Sequence, residues 1–276
     1  MKRGTTLRRL AWATDIHLNF VQGDVRGLRE QLAGAGPDGL VITGDISEAP
    51  TLERDLAALD RALWLPTFIV LGNHDFYGGS VRAVRALVTG VCRRSRWLRY
   101  LPAEGVVPLG ADTALVGHDG WADGRLGDFE HSSIVLNDYL VIEDLAGLKP
   151  KARLERLHQL GDEAAAHLRR FLPQALDRFR NVIVATHVPP FREACWHEGK
   201  IGDDEHLPHF GCGAVGQALL PIMRSRPEQH MLVLCGHTHS RGVARVLPNL
   251  VVKTGGATYG QPMLAEVIDT MAVGHE

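Results

Sequence analysis

Five short apolar segments in this 276-residue chain each end abruptly in polar residues. Segments of this length that are bounded by turn residues are typical of buried β-strands. A loop at the end of a strand can be polar while the strand behind it fixes its position. The sequence therefore predicts a sheet with a polar site along one edge. The five segments, each with the residues that follow it, are 10–14 with Asp15 and His17, 40–43 with Gly44 and Asp45, 67–71 with Gly72, Asn73, His74 and Asp75, 182–186 with His187, and 231–235 with Gly236, His237, Thr238 and His239.

Helical patterns lie between the first strands. Apolar residues recur at helical spacing in residues 25–32, 52–63 and 80–91,. Strands that alternate with helices are typical of α/β folds, in which helical crossovers connect parallel strands. A longer helix is expected at 151–171, and no linker or internal repeat interrupts the chain. We therefore expect a single α/β domain over residues 1–276.

The composition narrows the class of protein. Hydrophobic residues make up 45% of the chain and charged residues 22%, which suits a folded soluble domain,. The net charge of −2 indicates no general attraction to nucleic acid or to anionic membranes,. The apolar segment after the basic N-terminus is too short for a signal peptide, and no segment approaches the ~20 residues of a membrane span. We therefore expect a cytoplasmic protein without a membrane partner. The four cysteines are widely spaced, which favours reduced thiols over disulfides,.

The polar residues after the strands are of the kinds that bind metals. Any one of these motifs alone is more simply explained by a turn or by a hydrogen-bonded structural histidine. Together they are expected to meet, because open α/β sheets place their ligands at the carboxyl ends of the strands. A mixture of imidazole, carboxylate and amide groups suits Mn, Fe, Zn or Co better than Ca, whose ligands are nearly all oxygen. The candidate metal ligands are Asp15, His17, Asp45, Asn73, His187, His237 and His239.

The order of these motifs resembles that of the calcineurin-like metallophosphoesterase superfamily. The family's motifs are Asp-x-His, Gly-Asp, Gly-Asn-His-Asp, a histidine after a strand, and Gly-His-x-His. All five are present in that order between Asp15 and His239. The resemblance implies a two-sheet β-sandwich flanked by helices, which is a four-layer αββα fold. It also implies a hydrolase of phosphate monoesters or diesters that acts on a small-molecule or protein phosphoester.

The resemblance further implies a site with two divalent or mixed-valence metal ions. Asp45 would bridge the ions, because a carboxylate can place negative charge between two cations that otherwise repel each other. A hydroxide held between the ions would attack phosphorus, while His74 would bind the substrate and protonate the leaving oxygen. Two kinds of role are open for Asp75. It would either orient the His74 ring or act within its own loop, by capping the following helix or by accepting loop hydrogen bonds. The remaining ligands of the first ion would be Asp15, His17 and His239, and those of the second would be Asn73, His187 and His237.

Two segments outside these motifs leave alternatives open. Trp121 and Arg125 follow a strand predicted at 114–117, and they would either contact substrate at the rim or form a packed, salt-bridged loop. Residues 189–213 contain two cysteines and three histidines, so a separate zinc site is conceivable,. Their spacing matches no common structural zinc motif, and the segment begins two residues after His187. We therefore expect it to form a wall of the substrate cleft.

Two alternative functions stay open on the sequence alone. A DNA or RNA nuclease of the same superfamily would carry the same motifs, although the net charge makes nucleic acid a less favoured partner,. A metal-bearing scaffold that binds a partner without catalysis would have no need of His74 as a proton donor. The complete set of motifs favours an enzyme, and the sequence does not indicate an oligomeric state.

Overall fold

The computed structural model describes residues 6–274 as two β-sheets with helices around them. Its strands are β1 (Arg9–Ala13), β2 (Gly39–Thr43), β3 (Thr67–Val70), β4 (Leu98–Tyr100), β5 (Val107–Pro108), β6 (Thr113–Gly117), β7 (Asn181–Ala185), β8 (Trp196–His197), β9 (Lys200–Ile201), β10 (His230–Cys235), β11 (Gly242–Leu247), β12 (Leu250–Thr254) and β13 (Leu264–Asp269). Its α-helices are α1 (Arg26–Ala35), α2 (Ala49–Ala62), α3 (Val81–Arg94), α4 (Leu101–Glu104), α5 (Asp138–Val141), α6 (Pro150–Leu176), α7 (Leu207–Phe210) and α8 (Gly213–Arg224). Short 3-10 helices span Leu18–Val21, His74–Phe76 and Arg192–Ala194.

The two large sheets are mostly parallel. The first has the strand order β13-β1-β2-β3-β4 and the second has the order β11-β12-β10-β7-β6-β5, while β8 and β9 form a separate ribbon. Strands β1 to β4 are parallel to one another, and β13 pairs antiparallel with β1. In the second sheet β12, β10, β7 and β6 are parallel. The loops that follow parallel strands therefore lie together at one edge of each sheet.

Alternate residues of the strands pack into different cores, as expected from the two faces of a pleated strand. Trp12 and Phe68 of the first sheet pack between the sheets against Ile183 and Leu232 of the second. The opposite face of the first sheet packs on α1, α2 and α3, and the opposite face of the second packs on α6 and α8. This order of helices, sheet, sheet and helices confirms the expected two-sheet sandwich flanked by helices.

The sequence-based bounds differ from the structure mainly where elements are short. The helix expected at 151–171 is present and extends over Pro150–Leu176. Segment 189–213 shows no period because it holds a 3-10 helix, the β8–β9 ribbon and α7, none of which exceeds four residues. Elements this short contain too few residues for a periodic pattern to appear. No helix within residues 6–274 is both long enough and apolar enough to cross a bilayer.

Candidate metal centre

The candidate ligands lie in loops that leave the carboxyl ends of five parallel strands. Because the sheets pack face to face, the loops from both sheets meet at one end of the sandwich. The structure brings all seven candidates together there, with two of the histidines, His237 and His239, partly exposed and the other five side chains buried. Strands β1, β2 and β3 of the first sheet lead to Asp15, His17, Asp45 and Asn73. Strands β7 and β10 of the second sheet lead to His187, His237 and His239.

Asp15, His17, Asp45 and His239 form one ligand group. Each offers one ligand atom, and these atoms lie within 4.8 Å of one another. Nε2 of His17 is 3.2 Å from Nε2 of His239 and 3.8 Å from Oδ2 of Asp45. Nε2 of His239 is also 3.3 Å from Oδ1 of Asp15. This spacing allows one cation to contact all four side chains.

Asn73, His187 and His237 form a second group beside the first. Oδ1 of Asn73 is 3.1 Å from Nε2 of His187 and 3.0 Å from Nδ1 of His237. Oδ1 of Asp45 is 3.4 Å from Nε2 of His187, while Oδ2 of Asp45 faces His17 in the first group. The two oxygens of Asp45 thus face different groups, which is the arrangement that a bridging carboxylate needs.

The second group fits a cation because the three atoms that face one another are all hydrogen-bond acceptors. Nδ1 of His187 donates to the carbonyl of Thr43 (2.8 Å), so its Nε2 carries no hydrogen,. Nε2 of His237 donates to the carbonyl of His209 (2.8 Å), so its Nδ1 carries none. The side-chain amide of Asn73 donates to a carboxylate behind it, which turns its oxygen towards both rings. Burial lowers the pKa of both histidines, that of His237 to about 4, so near pH 7 neither ring holds a second proton. Three converging acceptors with no hydrogen between them suit a metal ion.

The first group buries two carboxylates close together. Burial raises the pKa of Asp45 well above its usual value, and the charges of Asp15 and Asp75 raise it further. Burial also acts to raise the pKa of Asp15, but the hydrogen bond from His239 and the neighbouring imidazoles outweigh it and hold that pKa low. Carboxylates at this spacing are stabilised by a cation between them. Burial lowers the pKa of His17 to about 3, which keeps its ring in the neutral form that binds metals,.

The ligand loops adopt a backbone conformation that is rare outside glycine. Positive φ angles between 40° and 71° are found at Asp15, His17, Asp45, His237 and His239. Each such residue costs about 1 kcal/mol or more, and here the conformation turns each loop sharply at the end of its strand. Two glycines let the loops approach closely. A Cβ atom at Gly72 would lie 2.1 Å from Oδ1 of Asp45, and one at Gly236 would lie 2.1 Å from Oδ2 of Asp15.

Asp75 does not orient the His74 ring, and the prediction of that catalytic role is wrong. Its buried carboxylate accepts hydrogen bonds from the backbone amides of Ile46 (2.9 Å), Ser47 (2.8 Å) and Gly72 (2.8 Å). Nδ1 of His74 is buried and has no hydrogen-bond partner in the described part of the chain. The loops after β2 and β3 leave amides without a sheet partner, and Asp75 satisfies them. Of the two roles open from the sequence, the structure selects hydrogen bonding within the loops.

His74 lies beside the ligands without belonging to either group. Its backbone amide donates to Oδ1 of Asp45 (2.9 Å), and its Nε2 is 4.0 Å from Oδ2 of the same carboxylate. The ring stacks on Tyr77 with the centroids 4.3 Å apart. The side chain is 17% exposed and lines a cavity of about 280 Å³ next to the ligands. It therefore faces the space in which a substrate would bind.

The cavity is also lined by residues that no sequence motif indicated. Tyr77, His197, Phe210 and Tyr259 contribute rings, and Asp138 contributes a carboxylate. Asp138 and Tyr259 come from parts of the chain that show no ligand motif, and only the fold brings them to the cavity. Tyr77 follows the Gly72–Asp75 motif, and His197 and Phe210 belong to segment 189–213.

Segment 189–213 contributes His197 and Phe210 to this cavity, which agrees with the expectation that it walls the cleft. The alternative of a separate zinc site there has no support, because the only group of three or more His, Cys, Asp or Glu side chains with metal-binding spacing within residues 6–274 is the cluster around Asp15. Cys195 instead donates its thiol hydrogen to the carbonyl of Phe191 (3.3 Å).

Trp121 is buried and Arg125 is half-buried, and neither residue lines the cavity. Trp121 is 3% exposed, and its ring contacts Phe76 with the centroids 5.4 Å apart. The guanidinium of Arg125 pairs with the buried Asp123 (2.8 Å) and with Asp162 (2.9 Å). An arginine held by two carboxylates is not available to bind phosphate. Of the two alternatives that the sequence left open, the structure therefore favours the packed, salt-bridged loop over contact with substrate.

Helix α5 holds two ligands of the second group in place. Oδ1 of Asp138 accepts a hydrogen bond from the side-chain amide of Asn73 (2.8 Å) and another from a tyrosine hydroxyl (2.7 Å). The hydroxyl of Tyr139 bonds to Nδ1 of His209 (2.6 Å), the residue whose carbonyl accepts from the His237 ring. Partners of this kind fix the direction in which a ligand points. Two adjacent residues of one short helix thus position both Asn73 and His237.

Replacing Asp138 with alanine is expected to weaken binding of the second Mn²⁺ ion by about 10- to 100-fold and to leave the first ion bound. The side-chain amide of Asn73 would lose the partner that turns its oxygen towards the two histidines. Asp144→Ala is the matched control, since Asp144 accepts hydrogen bonds from the amide of Val81 (2.7 Å) and from Arg156 (2.6 Å) without touching a ligand. Isothermal titration with Mn²⁺ measures both steps. Equal affinities of the two variants for both ions would contradict the role of α5.

Comparison with protein families agrees with this geometry. The sequence model of the calcineurin-like phosphoesterase family matches residues 8–241, a range that includes all seven candidate ligands. No curated protein matches the sequence.

Several solved structures share the fold. The phosphopantetheinyl hydrolase from Mycobacterium tuberculosis is similar with a TM-score of 0.67 and 16% identity, over 92% of this chain and 90% of that one. A dimetal phosphatase from Danio rerio is similar with a TM-score of 0.54 and 16% identity, over 93% of this chain and 90% of that one. GAP50, the anchor in the inner membrane complex of Plasmodium, is similar with a TM-score of 0.51 and 14% identity, over 96% and 79% of the two chains. At these identities the likeness concerns the fold alone.

Proposed function

Because the chain belongs to the calcineurin-like phosphoesterase family, we propose that it hydrolyses phosphate monoesters or diesters at the two ligand groups described above. The observation that carries the proposal is the position of Asp45, whose two oxygens face the two groups. Asp45 would therefore be shared by two ions. The other ligands would be Asp15, His17 and His239 for one ion, and Asn73, His187 and His237 for the other. Mn, Fe, Zn or Co suit this set.

Bound metal ions would supply Lewis acidity to the phosphoryl oxygens and lower the pKa of a water molecule towards neutrality. The chain's own residues position the remaining chemistry. The ring of His74 lines the cavity, where it hydrogen-bonds the ester oxygen of the substrate and protonates that oxygen as the P–O bond breaks. The backbone amide of His74 is held by Asp45 and its ring by Tyr77, so the proton donor keeps a fixed distance from the ligands.

The same features weigh against the two alternative functions. A scaffold without catalysis would have no need of an imidazole that lines a cavity beside the ligands. A nuclease would gain from a positive surface along the nucleic acid backbone, whereas this chain has a net charge of −2. We therefore favour a small-molecule or protein phosphoester as the substrate.

Removal and return of metal ions test the proposal. Protein stripped with a chelator is expected to lose turnover entirely and to regain it with about two equivalents of Mn²⁺, Fe²⁺, Zn²⁺ or Co²⁺, because no arginine or lysine among residues 6–274 lines the cavity to stabilise the phosphoryl charge instead,. The substrates are phosphomonoesters, cyclic and linear diesters, nucleotides and phosphoproteins. Protein with two bound ions and no turnover of any ester would favour a scaffold, and salt-sensitive binding and cleavage of DNA would favour a nuclease.

A further inference from the structure

Two cavities flank His239, and they differ in chemistry. The first, of about 280 Å³, is the cavity that contains His74. The second, of about 290 Å³, has Arg241, Thr258 and Met263 in its wall. His239 belongs to the walls of both cavities. The two cavities therefore meet at one of the candidate metal ligands.

The first cavity suits an uncharged organic group. Its wall includes the rings of Tyr77, Phe210 and Tyr259, and aromatic faces pack well against planar or apolar groups. The carboxylate of Asp138 in this wall already accepts two hydrogen bonds from protein side chains. His74 lies in the same cavity, so the group bound there is the one whose oxygen His74 can protonate. That group is the leaving group.

The second cavity suits an anionic group. Arg241 is exposed in its wall, and the lining contains no carboxylate. Arg85 and Arg125 are held by the buried carboxylates of Asp119 and Asp123, whereas no acidic side chain within residues 6–274 forms a salt bridge with Arg241. Such a guanidinium offers forked N–H donors to a phosphate or a carboxylate.

We propose that the substrate is a phosphodiester whose leaving group occupies the first cavity and whose retained arm carries a further phosphate or carboxylate against Arg241. This inference rests on the proposed function. Two cavities that meet at the candidate ligand His239 offer room for the two arms of a diester, whereas a monoester has a single arm.

The reaction balances as a hydrolysis. The oxygen of a water molecule forms a new bond to phosphorus, and the bond from phosphorus to the leaving oxygen breaks. The leaving oxygen takes a proton from His74, and the proton that the water gives up passes to solvent and restores the protonated His74, so the net change is one water consumed. The products are an alcohol and a monoester that keeps the anionic arm beside Arg241.

The test compares two p-nitrophenyl esters of thymidine 5′-phosphate that differ only in a 3′-phosphate on the retained thymidine. The Mn²⁺-loaded protein is expected to hydrolyse the 3′-phosphorylated ester with a kcat/KM about tenfold higher, mainly through a lower KM. Arg241→Ala is expected to bring the ratio of the two kcat/KM values close to one. Arg241→Lys is expected to keep part of the difference, because lysine retains the positive charge but lacks the forked N–H donors of a guanidinium. Arg245→Ala is the matched control, since it removes an exposed arginine of β11 outside the cavity and is expected to keep the wild-type ratio.

Three results would overturn the inference. Equal kcat/KM values of the wild-type protein for the two thymidine esters would show that the second cavity does not recognise an anionic group on the retained arm. An equal loss in Arg241→Ala on both esters and on p-nitrophenyl phosphate would place Arg241 on the phosphoryl group itself. A higher kcat/KM for p-nitrophenyl phosphate than for both diesters would show that the protein prefers a monoester as its substrate. Failure of the fully loaded protein to hydrolyse any of these esters would instead contradict the proposed function.

Discussion

Asp45→Asn is expected to remove both metal ions together and to lower kcat/KM by more than about a hundredfold, since even the partners behind a ligand typically contribute 10- to 100-fold. The variant keeps the shape of the side chain and loses its charge. A neutral amide cannot place negative charge between two cations, and its NH₂ group would direct hydrogens at one of the two ligand groups. Metal analysis after dialysis, together with kcat/KM on an activated ester, measures both effects.

The substitution isolates the charge of Asp45 because the backbone tolerates it. Asp45 has a φ of 52°, and asparagine adopts this left-handed conformation readily,. The amide oxygen of asparagine can still accept the hydrogen bond that the His74 backbone amide now donates to the carboxylate.

Asp123→Asn is the control, since Asp123 is equally buried and accepts hydrogen bonds from the backbone amides of Gly213 and Ala214 at the start of α8. It should lower the melting temperature and retain both ions. Full occupancy by two ions in Asp45→Asn would refute the bridging role.

His74→Asn is expected to keep both metal ions and to slow hydrolysis of an alkyl ester by about 10²- to 10⁴-fold, the usual contribution of a general acid. The loss on a p-nitrophenyl ester should be much smaller, because p-nitrophenolate leaves without being protonated. Burial lowers the pKa of His74 to about 4, so its ring is neutral near pH 7 in the free protein. A bound phosphate ester brings negative charge to the ring and thereby favours the protonated form that donates.

The dependence of kcat on the pKa of the leaving alcohol separates proton donation from substrate binding. A steeper dependence in His74→Asn than in the wild-type protein supports donation. An equal loss on alkyl and p-nitrophenyl esters would assign His74 to binding alone. Loss of metal ions would show that the histidine supports the ligand groups, for example through its contact with Tyr77.

The buried strands and the ligand loops could be anticipated because their signals are local, whereas the two-sheet sandwich was implied by the family resemblance. A buried strand is recognised in the sequence as a short apolar segment, and its ligand follows within a few residues. Both can therefore be identified from adjacent residues of the chain. Gly72 and Gly236 belong to the same local signal, since each stands where a Cβ atom would meet the carboxylate of another loop. The ribbon and the short helix in residues 189–213 gave no such signal, because two to four residues do not establish a period.

The amino-acid sequence by itself thus determined the strands that lead to the site, the seven candidate ligands and the family, since each of these depends on residues close together in the chain. Only the tertiary structure decided which of two roles Asp75 fills, because its partners Ile46 and Ser47 lie in another loop. Tertiary structure likewise buried Trp121 beside Phe76 and brought Asp138 to Asn73 across 65 positions of the chain. Hydrogen bonds and packing between distant segments depend on where the sheets and helices place them, and a local pattern does not contain that information.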